Sequence, residues 1–409
     1  MPLSIYAAEP TAGPNHDALF TPLQLPCGAR LKNRIVKSAM SDRLGDGTGH
    51  PTDAQIALYR RWSVGGTALS IVGEVQGDPR FAEASGNLVL DDRADPSRFA
   101  RLAKEGAAGG GHLWLQLGHA GALTDPAIGT PKGPSALDLP GLTCGALDAE
   151  EIAALPRAFA RTARLAQEAG FGGVQIHAAH GFLLSQLLSP LFNRRGDEYG
   201  GPIGARLQIV IRIIDEVRSA VGPAFPIGIK INATDRLDGG LSEAEALHVV
   251  AALDHTSIDL IEISGGTYFP GAPATSEDRG AGAYFAAFAR SARGVTTKPL
   301  LLTGGIKTRS QAGEIVAGGV ADAVGLARAF AIAPDLPELW RCGDAATPSF
   351  PRFAAPPEGG VTAWYTMRIA EIADGHAALT SEDLGRAIEA YTEHETRKAD
   401  IWRSHFDLG

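Results

Sequence analysis

Residues Pro226–Ile263 read PIGIKINATDRLDGGLSEAEALHVVAALDHTSIDLIEI, and the alternation inside this stretch decides the fold. Pro226 to Asn232 is a short, nearly continuous apolar run, and Ile258 to Ile263 is another. Each carries only two polar side chains, fewer than a strand with one wet face would. Both therefore read as parallel strands covered on both faces. Between them Ser242 caps a helix from Glu243 to His255, and Glu245 completes a capping box. The unit is strand, helix, strand, with the helix carrying the chain back so that the second strand runs parallel to the first.

The same rhythm extends in both directions. Further strands are expected at Arg34–Ser38, Thr67–Val75, His112–Leu117, Gly173–His177, Lys298–Thr303 and Ala321–Gly325. Helices are expected at Asp53–Ser63, Pro96–Ala108, Ala149–Ala169, Gly204–Val221, Tyr284–Arg293, Thr308–Ala317 and Pro334–Trp340. Thr52 or Asp53 caps the first of these. Asp95 caps the second, with Pro96 at its first position, and Gly170 stops the third. Eight strand–helix units favour an α/β fold of the (β/α)8 TIM-barrel type over an open sheet. No GxGxxG follows any strand, which disfavours a Rossmann domain.

Two segments stand outside the count. Asp125–Gly145, rich in Pro, Gly and Thr, is expected to be a loop insertion after the third strand. After a Pro-rich linker (Ser349–Gly360) come two more helices, Thr362–Ala373 and Ser381–Arg403. The expected division is a barrel over residues 1–345 and an extension over 346–409. That extension would pack on the barrel or on a neighbouring subunit, which makes a homo-oligomer a possibility.

Composition narrows the partners. The 409 residues carry a formal charge of −9, and the longest basic clusters are the pairs Arg60-Arg61 and Arg194-Arg195. No basic stripe for nucleic acid is visible. Cys27, Cys144 and Cys342 are too scattered for a disulfide framework or a metal-ligand spacing, so a reduced, cytoplasmic chain is expected. The first twenty residues show no secretory signal. No apolar run reaches the ~20 residues of a membrane span.

In such barrels chemistry sits where the strands end. Those ends carry Ser38-Ala39-Met40-Ser41; Gln116 and His119; His177, His180 and Phe182; Lys230 and Asn232; Ser264 to Tyr268; Thr303-Gly304-Gly305; and Gly325-Leu326-Ala327-Arg328. The glycine-rich turns after strands seven and eight can present backbone N–H groups to a phosphate, with Arg328 adding charge. Their glycines could equally serve tight loops alone. His177 and His180 could bind a metal, hold an oxygen as donors, or simply pack. A metal would want a third ligand, and only Glu262 and Asp235 stand at nearby strand ends. Lys230, inward on a buried strand, needs a facing anion or a role as a Schiff-base amine.

At these residues the chain resembles the Old Yellow Enzyme family of FMN-dependent oxidoreductases. The matching stretches are LKNRIVKSAMSDRL from Leu31, LQLGHAG from Leu115, HAAHGFLLSQLLSPLFNRRGDEYGG from His177, GIKIN from Gly228, LLLTGGI from Leu300 and VGLAR from Val324. The resemblance implies FMN as cofactor, NADH or NADPH as reductant, and a small substrate with an activated double bond. It implies that Ser38, Ala39, Met40 and Ser41 line the flavin, with Ser41 near its C4 carbonyl. Gln116 would bond the pyrimidine edge and Lys230 would face N1/O2. Gly304, Gly305, Gly325, Ala327 and Arg328 would hold the phosphate. His177 and His180 would bind the substrate carbonyl while hydride reaches the β-carbon.

The departures from the family pattern bear on mechanism. The usual tyrosine acid is replaced by Phe182, which has no proton to give. Ala122 stands where an arginine is common, Ala327 replaces a usual glycine, and Arg43 falls where some relatives carry tyrosine. Ene reduction then needs another acid, either water or Tyr268 in the loop after strand six. Rival readings are dehydrogenation, isomerisation or nitro and oxime reduction on the same fold, or a flavin-free lyase using Lys230. The substrate is expected to be chosen by two loops, Asp125–Gly145 and Gly265–Tyr284.

Overall fold

The apolar runs form eight parallel strands in chain order: β1 Ile35–Lys37, β2 Leu69–Gln76, β3 His112–Gly118, β4 Val174–Ala178, β5 Ile227–Asn232, β6 Leu260–Ser264, β7 Leu300–Thr303 and β8 Ala323–Leu326. Each pairs with the next, and β8 returns to β1, so the sheet closes into a barrel. The structure is a computed structural model that describes residues 17–270, 272, 282–343, 347–375 and 383–408. The outer helices begin where capping residues place them. Thr52 caps α1 (Asp53–Val64) and Asp95 caps α2 (Pro96–Gly106). Capping boxes open α3 (Ala149–Glu168), by Asp148 and Glu151, and a later helix (Glu243–Asp254), by Ser242 and Glu245.

One end of the barrel is plugged. Leu23–Gln24 pairs antiparallel with Arg30–Leu31, and this hairpin buries Leu23, Leu25 and Leu31 against Val36, Leu69, Trp114, Leu260 and Leu301. The N-terminal arm is therefore structured from Asp17 onward; its residues 1–16 lie outside the described residues. With that end closed, the strands' C-terminal ends are left to form a site.

One expectation needs correction. The insertion after β3 is a small sheet rather than a loop. Leu137–Leu139 and Leu142–Ala146 form a hairpin, and Lys132–Gly133 adds a parallel edge. Its turn is Pro140-Gly141, with Gly141 at φ +81°, where a β-carbon would be strained. Leu137 and Cys144 pack with Ala122, Phe192 and Phe269.

The C-terminal helices, Gly360–Asp374 and Leu384–Phe406, lie on this chain's own barrel. The first packs against α1 and the short helix Arg328–Ile332. The second buries Trp402 against Ala82, Val89 and Ile128. The expected start of the second helix at Ser381 and the expected 345/346 boundary lie outside the described residues.

Candidate active site

Strand register assembles the site. In a parallel barrel, paired residues share a face, so Gln116 on β3 sits beside Gln175 on β4. His177 sits beside Lys230, and Lys230 beside Glu262 on β6. All five are buried. Gln116 Nε2 donates to Gln175 Oε1 at 2.7 Å, and Gln175 Nε2 donates to Glu262 Oε2 at 2.6 Å. Lys230 Nζ lies 3.3 Å from Glu262 Oε1. A polar chain thus crosses the barrel mouth from β3 to β5. It answers the question of how a buried lysine is tolerated: its counter-charge is Glu262, not a flavin edge alone.

Glu74 joins the same layer by a different route. The β2–β3 register shifts between Val72 and Val75, a bulge that aims Glu74 into the barrel. Its Oε1 lies 3.2 Å from His177 Nε2, and its Oε2 accepts from Gln76 Nε2 at 3.2 Å. Burial pushes its pKa up to about 8, against the pull of the Gln76 amide and Lys230.

His177 and His180 meet edge to face with ring centroids 5.2 Å apart. Burial, then the neighbouring cation Lys230, holds His177 well below the ordinary imidazole range. Burial, then His177 and Lys230, does the same to His180. Both rings are neutral at pH 7, each with one donor and one acceptor nitrogen. His180 has φ +62°, a backbone state rare for residues with a β-carbon. It is pinned there: its N–H donates to Asn232 Oδ1 at 3.0 Å, and its carbonyl accepts from the Tyr268 N–H. Its Nε2 lies 2.8 Å from Ser264 Oγ. Phe182 packs 5.0 Å from His177, and Tyr268 lies 5.7 Å from His180 and 5.9 Å from Phe182. Tyr268 is 66% exposed, so its ring forms the accessible wall of the site.

The remaining expected residues lie at the other side of the same mouth. Ser38 Oγ is 2.6 Å from Thr303 Oγ1, tying β1 to β7. Ser41 Oγ donates to Asn87 Oδ1 at 3.1 Å. Gly304 and Gly305 sit at φ +104° and +77°, and a β-carbon on Gly305 would strike the Gly282 carbonyl at 2.2 Å. Gly325 is equally constrained, with Thr303 Oγ1 1.9 Å and Ser38 Oγ 2.3 Å from where a β-carbon would stand. Arg328 is half-buried beneath Tyr365, 5.6 Å from its ring. The mouth also concentrates unmet polar atoms. Gln76 Oε1, Glu83 Oε1, Asn87 Nδ2 and His177 Nδ1 are buried without partners there. Buried orphans are rare in folded proteins, and such a cluster fits a bound polar group. Glycine turns, a cation and a row of amides suit the phosphate and pyrimidine of FMN. Among the described residues no group of three or more His, Cys, Asp or Glu is arranged to hold a metal, and no helix is long and apolar enough to cross a membrane.

The sequence reading missed Gln175, Glu74 and Gln76, and weighed Glu262 only as a metal ligand. Gln175 and Glu262 share strand parity with His177 and Lys230, so alternation could have found them. Glu74 was hidden by the bulge.

A closed parallel barrel whose strand ends carry two neutral imidazoles, a buried lysine and tight glycine turns fits the class of FMN-dependent barrel oxidoreductases. The chain belongs to the NADH:flavin oxidoreductase / NADH oxidase family, of Old Yellow Enzyme type, whose sequence profile matches residues 18–343. It is 34% identical over 350 residues to the NADH-dependent flavin oxidoreductase iliE of Hypocrea jecorina, covering 78% of this chain and 87% of that one. It is 35% identical over 326 residues to a metal reductase of Desulforamulus reducens, spanning 78% of this chain but only 48% of that longer protein. Among solved structures, morphinone reductase in complex with tetrahydroNAD superposes with a TM-score of 0.69 at 26% identity, covering 80% of this chain and 91% of that chain. The protein is an FMN-dependent oxidoreductase that draws on NADH or NADPH.

Proposed function

We propose that the protein reduces the double bond of a small α,β-unsaturated carbonyl compound or a related activated alkene. The observation that carries this reading is the pair His177 and His180, two neutral imidazoles 5.2 Å apart beside the Gln116–Lys230 chain. FMN, when bound, supplies the capacity to take hydride from a nicotinamide and pass it to a substrate carbon. Ser38, Ala39, Met40 and Ser41 line the ring, while Gln116 and Lys230 hold its pyrimidine edge. Gly304, Gly305, Gly325, Ala327 and Arg328 hold the phosphate. The two histidines grip the carbonyl oxygen and stabilise the negative charge that grows there. Phe182 and Tyr268 wall the substrate. Phe182 has no proton to give, so Tyr268 delivers the proton to the α-carbon. Its phenol carries its proton at neutral pH, as an ordinary tyrosine does.

The test is an anaerobic titration with NADH and with NADPH, followed by 2-cyclohexenone. Bleaching by a nicotinamide and reoxidation by the enone are expected; bleaching without reoxidation by any enone would overturn the substrate class. Phe182 also favours a second reading, in which no α-carbon acid is required. Nitroalkenes, oximes and saturated ketones assayed beside the enone separate it from the first.

A further inference from the structure

A neutral imidazole can hold a carbonyl oxygen only through the nitrogen that carries its proton. What fixes the proton on His177 is therefore part of the site. Its Nε2 faces Glu74 Oε1 at 3.2 Å, while its Nδ1 is buried with no partner. If Glu74 is ionised, Nε2–H turns to it and Nδ1 becomes an acceptor, which repels a carbonyl oxygen. If Glu74 is protonated, its O–H donates to Nε2 and the proton of the ring sits on Nδ1.

Resting on the oxygen-gripping role of His177, we propose that Glu74 is a positioning residue whose carboxylic acid donates to His177 Nε2 and holds the ring in the Nδ1–H tautomer that grips the substrate oxygen. The acid keeps its proton throughout, and no bond is made or broken by it. The local structure is built for this contact. The β2 bulge turns Glu74 inward, and the facing strand β3 offers Gly118, where a β-carbon would lie 2.4 Å from Glu74 Oε2. The carboxyl has room only because that position has no side chain.

The charged and titratable groups around Glu74 are few. Glu83 comes from the loop after β2, His177 from β4 and Lys230 from β5, with Glu262 of β6 behind the lysine and Tyr268 above. Burial favours the protonated form, and the Gln76 amide and then Lys230 oppose it. Lys230 is already engaged with Glu262 at 3.3 Å. A carboxyl titrating at about 8 keeps its proton at pH 7 and loses it above pH 8. The sign is therefore fixed: the oxygen grip weakens as pH rises through that value.

The decisive measurement avoids turnover. Cyclohexanone, a ketone without an activated double bond, is titrated into the oxidised FMN holoenzyme without NADH or NADPH, and flavin absorbance is followed from pH 6 to 9.5. The wild-type Kd is expected to be flat to pH 7 and to rise about 5- to 10-fold by pH 9, the scale of one lost hydrogen bond. Glu74→Gln, whose amide donates at every pH, should bind with a flat profile. Glu74→Leu should bind weakly throughout. A wild-type profile that is flat, or a Glu74→Gln profile that keeps the rise, overturns the proposal. Side-chain 15N NMR of the histidines in the wild-type protein is an independent reading that needs no variant to fold. His177 should show a protonated Nδ1 and an unprotonated Nε2 at pH 7; the reverse pattern overturns the proposal. Cyclohexanone binding that survives His177→Ala and His180→Ala unchanged would instead remove the oxygen-gripping role, leaving the tautomer result to stand or fall by NMR.

Discussion

Phe182 is 3% exposed, with its ring against His177 and facing Tyr268. At this scale the proposed reaction turns on one missing oxygen atom. We expect Tyr268→Phe to slow reoxidation by 2-cyclohexenone at least ~10²-fold, the lower end for loss of a general acid. Flavin reduction by nicotinamide should stay near its wild-type rate, and stopped-flow absorbance reads both steps. Phe182→Tyr in the Tyr268→Phe background should recover much of the loss; an unchanged rate in Tyr268→Phe removes Tyr268 from the reaction. A second expectation concerns Lys230 and Glu262, both essentially inaccessible to water. Glu262→Leu leaves a buried cation unpaired and should cost about 3 kcal/mol of apoprotein stability in chemical denaturation. Lys230→Met added to it should restore much of that, because the unpaired charge is then gone. If the double variant is no more stable than the single, the pair is not the source of the loss.

At the scale of elements, the eight strands were legible because parallel strands covered on both faces must be continuously apolar. Their helices were legible because Ser242, Asp95 and Thr52 cap as short polar side chains do. Where local periodicity is interrupted, legibility ends. The bulge at Gly73-Glu74 shifts the parity of β2, so a carboxyl that alternation would send outward faces His177 instead. The insertion is short-range and polar outside, and only Pro140-Gly141 signals its hairpin. Its apolar side lies in one cluster with Phe192 and Phe269, whose rings stack 3.9 Å apart. Phe269 follows Tyr268 directly, so this stack steadies the backbone that carries the Tyr268 ring. We expect Phe192→Ala to raise KM for cyclic enones several-fold, a loss on the scale of an aromatic pair, while FMN affinity stays constant. An unchanged KM across enones of different ring size would separate the insertion from substrate choice.

At the scale of the whole molecule, the helices beyond the barrel reach back to two arginines near its mouth. Arg43 Nη1 bonds Glu395 at 2.6 Å, its guanidinium carbon lies 5.2 Å from the centre of the Tyr391 ring, and Lys398 donates to the Arg43 carbonyl at 2.7 Å. Arg328, the expected phosphate contact, rests on Tyr365 of the other helix. Nothing in the barrel pattern of the sequence announces this, since residues more than three hundred apart in one case meet only in the closed fold. The extension therefore holds two cationic side chains beside the barrel mouth. A guanidinium held over an aromatic face loses less freedom when it takes an anion, so Tyr365 should matter to cofactor retention. We expect Tyr365→Leu to weaken FMN binding about 2- to 5-fold, the scale of one partly exposed cation–π contact, with Tyr365→Phe near wild type. Arg328→Ala should weaken it further, and Tyr365→Leu should add nothing in that background. Quenching of FMN fluorescence on binding to apoprotein gives each Kd directly. Equal, additive losses in the double variant would mean that Tyr365 acts on the cofactor independently of Arg328.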